Sequence, residues 1–174
     1  MLIEHPSLGP LSRRRDGTWY GGITLGDWGR GMWRERVGLT LPGDEGGPSP
    51  ESVELAERLS AVGPSIGDII RNGIWAELTG EEAECAYWWH GSLAEVNGVL
   101  EAPLAEPNQL VRVLEPMAVD VAEDFHGDEQ LEVFVTFHAD FEEEHGFQVI
   151  TDGRRVLGSG YIGEATKYQR YQAK

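Results

Sequence analysis

Cysteine is almost absent from this chain. The single thiol, Cys85, cannot close an internal disulfide, which excludes a disulfide-stapled scaffold and points to a reducing, cytoplasmic compartment. Cations are scarce as well: 14 Lys and Arg stand against 30 Asp and Glu, for a net charge of −16. A surface of that sign repels phosphate backbones and argues against nucleic acid as a partner. Nowhere do about 18 apolar residues follow one another, so no membrane-spanning helix is expected. The opening Met1 to Pro6 lacks the basic and apolar regions of a secretory signal. What remains is ordinary globular material, 174 residues with 40% hydrophobic and 25% charged. That suffices for a core without metal or disulfide staples, and the expectation is a single domain over 1–174.

The negative charge is concentrated in one stretch. Residues 72–153 hold 19 carboxylates and one cation, Arg112, whereas residues 154–174 hold five cations and one carboxylate, Glu164. Most carboxylates of the middle stretch therefore face water, the basic ends of the chain or a basic partner.

Periodicity divides the chain into strands, helices, then strands. Residues 7–45 read as a β-meander: Asp16-Gly17 is a tight-turn signal, Trp19 to Leu25 is extended, and Trp33 to Leu41 alternates before the breakers of residues 42–48. Residues 49–96 read as helical. Ser49-Pro50-Glu51 is a start signal in which the hydroxyl caps free N–H groups, proline fits the first helical position and Glu51 suits the positive end of the dipole. That helix is expected to reach Val62. A second begins at Ser65 with the stripe Ile66, Ile69, Ile70, Ile74 and Leu78 and stops at Gly80, and a third covers 81–96. A short helix near Asn108 to Leu114 opens a second β region over 108–163. There Val133, Val135 and Phe137 alternate with Glu132, Phe134, Thr136 and His138, and Gly127-Asp128-Glu129 and Asp152-Gly153 mark turns. Residues 164–174 form a basic tail, with Lys167, Arg170 and Lys174, expected to fray or to dock on the acidic stretch. The order implies an α+β fold: antiparallel sheet or sheets built from N- and C-terminal strands, covered by two or three central helices.

No residue set has the spacing of a catalytic centre, and no cofactor is expected. Gly158-Ser159-Gly160-Tyr161-Ile162-Gly163 spells a dinucleotide fingerprint, but the chain gives it no following helix, so these glycines are expected to allow a bulge or a close backbone approach in a final strand. Cys85 is flanked by Glu82 and Glu84, which disfavour a thiolate. Two imidazoles and four carboxylates crowd residues 138–145. His138, Asp140, Glu144 and His145 form the alternative reading, a metal-binding protein or metal-assisted hydrolase, although their spacing matches no helical metal motif. Among the tryptophans, Trp19, Trp33 and Trp75 fall on core-facing stripes, whereas Trp28, Trp88 and Trp89 lie outside any clear apolar face.

The run Asp140-Phe141-Glu142-Glu143-Glu144-His145-Gly146-Phe147-Gln148-Val149 resembles a signature of small bacterial domain-of-unknown-function families, in which an acidic stretch ending in Glu-His-Gly precedes a valine-rich strand. Leu8-Gly9-Pro10-Leu11 is similar to the Leu-Gly-x-Leu opening of such families. Some members look like toxin-immunity proteins, and the resemblance carries no catalytic residues with it. Together with the charge, the expectation is a non-enzymatic acidic binding protein of the immunity or inhibitor type, which neutralises a basic protein partner such as a cognate toxin. Docking is expected on Asp140, Glu142, Glu143 and Glu144, extending to Glu123, Asp124, Asp128 and Glu129, with Phe141 or Trp88 as a buried aromatic anchor.

Overall fold

A computed structural model of the chain describes residues 1–25, 28, 36–60, 66–80, 92–123 and 130–171. The expected alternations become strands β2 (Gly9–Arg13), β3 (Trp19–Ile23) and β4 (Val37–Leu41), preceded by β1 (Leu2–His5), which lies before the expected meander. After the helices come β5 (Leu114–Glu123), β6 (Leu131–Ala139), β7 (Phe147–Thr151), β8 (Val156–Gly160) and β9 (Thr166–Lys167). All nine lie in one sheet in sequence order, antiparallel except where β4 runs parallel to β5. The expected α+β class is therefore observed, with strands from both ends of the chain in a single sheet.

A parallel pair needs a crossover, and the helices supply it. Helix α1 (Pro50–Ser60) is capped as its sequence implies, the Ser49 hydroxyl accepting from the Ser52 amide at 3.2 Å. Helix α2 (Ile66–Leu78) buries Ile66, Ile70, Ile74 and Leu78. Helix α3 (Leu93–Val99) starts from a serine N-cap. There the Ser92 hydroxyl accepts from the Glu95 amide at 3.2 Å and donates to the Glu95 carboxylate at 2.6 Å. The observed α3 thus overlaps only the end of the helix expected over 81–96; residues 81–91, with Cys85, Trp88 and Trp89, lie outside the described residues, as do Trp33 and Lys174. A 3-10 turn over 107–112 stands where the short helix was expected.

Alternation on β6 sorts the core. Val133, Val135 and Phe137 join Leu39, Leu41, Val119 and Val149 on the face that α1 and α2 cover. The opposite face is also covered. Phe134, Ile150, Leu157 and Ala165 form a second buried cluster, with Tyr171 packed against it, so residues beyond β8 cover the outer face of β6 to β8. Trp28 is buried as well: its indole N–H donates to the Leu114 carbonyl at 3.2 Å and its ring lies 4.9 Å from that of Phe137.

The basic tail docks. Lys167, buried in β9, bonds Glu132 of β6 at 2.6 Å, while the Arg170 guanidinium lies over the rings of Tyr168 and Tyr171. Glycine permits this approach, since a Cβ on Gly158 would collide with the Thr166 carbonyl and the Lys167 Cα. The glycine-rich string is therefore a place of close backbone approach, as its sequence context implies.

Candidate functional site: an acidic double turn

Strand directions decide which acidic groups meet. β6 runs to Ala139, β7 returns from Phe147, and β8 runs back to Gly160, so the turns 140–146 and 161–165 share one end of the sheet. Glu123 ends β5 opposite Leu131, at the other end of β6. Eight residue steps, roughly 26 Å of strand, separate the two ends. The acidic surface expected to run continuously from Asp140 to Glu129 is thus split between opposite ends; Asp124, Asp128 and Glu129 lie outside the described residues.

Within the first turn the side chains take distinct roles. Phe141 is 5% exposed and belongs to the core, so it is not an accessible anchor. Glu142 is turned inward, its side chain only 10% exposed. Its carboxylate accepts from the His145 amide at 3.3 Å and lies 2.9 Å from His145 Nδ1. Asp140, Glu143 and Glu144 face solvent. Gly146, at φ +65°, closes the turn, and a Cβ there would strike the side chain of Ile162. The second turn is bound to the first. The His145 ring lies 4.8 Å from the Tyr161 ring, and the Gly163 amide donates to Gln148 at 3.3 Å. Gln148 in turn donates to Thr136 at 3.1 Å.

The result is a patch with an apolar centre and an acidic rim. Tyr161 is half-buried and Ile162 is 44% exposed, and the same two turns expose Asp140, Glu143, Glu144 and Glu164. Sequence reasoning missed Tyr161, Ile162 and Glu164, which lie some twenty residues from the first turn. Paired turn glycines at 146 and 163 were the available signal. The local field shifts two ionisable groups of the turns. The hydrogen bond with Glu142 raises the His145 pKa above its ordinary 6.5; burial opposes this, and the charges of Glu142, Glu144 and Glu164 reinforce it. Loss of water raises the Tyr161 phenol, helped by Glu142 and Glu164.

A raised histidine pKa fixes the sign of the pH effect. The bonded imidazolium supports the turn fully below pH 6.5, and this support is lost as pH rises through the elevated folded value. Glu142→Gln should bring the NMR-measured His145 titration back toward 6.5.

The residues of the alternative metal reading do not converge. His138 Nε2 lies 3.8 Å from Asp140, while His145 is engaged with Glu142. Among the described residues no three His, Cys, Asp or Glu side chains gather to hold a metal ion, and no helix is long and apolar enough to cross a membrane. At the far end of the sheet a cleft of about 460 Å³ is lined by four basic residues, three of them beside an acid: Arg58 with Glu54 at 2.5 Å, Arg155 with Asp152 at 3.2 Å, and Lys167 with Glu132. The acidic turn is therefore not the site at which the tail is docked. No family model, curated protein or solved structure matches the chain.

Proposed function

We propose that the protein is a non-enzymatic binding protein of the immunity or inhibitor type, which sets its acidic double turn against a basic protein partner such as a cognate toxin. The observation that carries this reading is the exposure of Asp140, Glu143, Glu144 and Glu164 on two interlocked turns around Tyr161 and Ile162. Rim charges steer encounter and raise the association rate at low salt, while the apolar centre loses water on contact and holds the complex. Turns fixed by a sheet suit this work because little ordering is left for binding to impose. The likeness of residues 140–149 to families with immunity-like members supports the same reading.

The test is association with the product of the adjacent gene at increasing salt. The variant Asp140→Asn, Glu143→Gln, Glu144→Gln, Glu164→Gln should associate at least about tenfold more slowly at low salt and lose most of its salt dependence. Its stability should change little, because these groups are exposed. An unchanged rate in the folded variant removes the double turn from the interface, and no binding at any ionic strength removes the function.

A further inference from the structure

Strands β3, β4 and β5 carry a groove of about 470 Å³ on their outer face, which reaches His138 of β6. Its floor is a pair of glycines, Gly22 and Gly38, directly opposite one another across β3 and β4. Neither has a positive φ, so space and not backbone geometry calls for glycine here. A Cβ on Gly22 would come within 3.0 Å of the Arg36 Nε, and one on Gly38 within 3.1 Å of the Tyr20 hydroxyl. Each long side chain thus lies over the glycine of the facing strand.

Both polar groups are held in place before any ligand arrives. Arg36 Nη2 donates to the carbonyls of Leu8 at 3.0 Å and Gly22 at 2.5 Å, which leaves Nε and Nη1 for another acceptor. The Tyr20 ring is backed by the Arg14 guanidinium at 4.1 Å. The opposite wall depends on a bulge. Ala118 pairs with Thr136 and Glu115 with His138, so β5 spends three steps where β6 spends two. The extra residue turns the Glu115 carboxylate onto the outer face and leaves Met117 56% exposed.

The geometry points to a binding site for a small zwitterion with an apolar body, of the α-amino acid class. The carboxylate would meet Arg36 and the Tyr20 hydroxyl, the ammonium would meet Glu115, and the body would lie over these side chains against Met117. A guanidinium and a carboxylate lining one groove match a ligand carrying both charges. A simple anion would meet Glu115 and the field of a chain at −16, which acts far less on a neutral zwitterion. The volume lies in the range of small-molecule sites.

The test is an NMR titration of the full chain with L-leucine. Two probes with the same aliphatic body, 4-methylpentanoate and 3-methylbutylamine, each lack one charge. Leucine should give saturable shifts at the amides of Gly22, Gly38 and Met117, and each probe should bind at least about tenfold more weakly. Arg36→Gln and Glu115→Gln should each abolish the leucine shifts at an unchanged melting temperature. If Arg36→Gln does not fold, Glu115→Gln carries the test. No saturable shift, equal binding of all three compounds, binding of 4-methylpentanoate as tight as leucine, or leucine shifts that survive in the folded variants would each overturn the proposal. None of these outcomes bears on the acidic double turn.

Discussion

Glu77→Ala is expected to lower the unfolding free energy by about 3–5 kcal/mol, a large share of what holds a domain of this size folded. Glu77 sits near the end of α2 and is completely buried. Its carboxylate accepts from the Ser159 hydroxyl at 2.6 and 2.8 Å, and from the Tyr168 hydroxyl. One side chain thereby joins the crossover helix, β8 and the C-terminal segment. Alanine would strand two buried hydroxyls and leave a void, and each stranded group costs about 1–3 kcal/mol. Glu77→Gln keeps one carbonyl acceptor and the shape, so its loss should be less than half as large. Denaturant unfolding of the two variants checks this. Equal losses for Ala and Gln would show that the charge, and not the two hydroxyl bonds, holds the helix to the sheet.

Lys167→Ala is the second large effect, about 3–5 kcal/mol, because it deprives the buried Glu132 carboxylate of its ammonium. The sign of the paired change separates cause from consequence. Two charges lose much hydration when buried, and their attraction returns only part of it, so Glu132→Leu with Lys167→Met should unfold at or above the wild-type midpoint. Both side chains face the second apolar cluster, where leucine and methionine can pack. A double variant as unstable as Lys167→Ala would mean that the pair is worth far more than its desolvation. Circular dichroism melts of the two variants and the wild type decide the matter.

Both effects lie in places the sequence pattern did not mark. On α2 the apolar stripe was legible because residues spaced by three and four share a helix face, but Glu77 is a polar position that reads as solvated. Glu132 likewise occupies the alternate, polar-looking face of β6. Only the return of the chain after Gly160 buries it. β1 was not anticipated, since four residues carry too short an alternation to stand out. Phe141 followed the strand pattern beyond its end and was taken for a surface residue of an acidic turn. Its ring completes the core instead.

Local chemistry, by contrast, was decided along the chain. The Asp16 carboxylate closes its turn on the Thr18 amide at 2.9 Å, Ser49 caps α1, and Val133, Val135 and Phe137 face the helices, as their spacing requires. These features depend on residues a few positions apart, which is why the α+β class and most strands and turns follow from sequence. The rest depends on pairings at long separation: Ser159 and Tyr168 reach Glu77 across 82 and 91 residues, and Lys167 reaches Glu132 across the sheet. The sequence alone determined that the chain carries a large excess of carboxylates. Which of them are neutralised inside and which face solvent was decided by tertiary structure, because strand direction places one acidic turn beside Tyr161 and Ile162 and sends Glu123 to the opposite end.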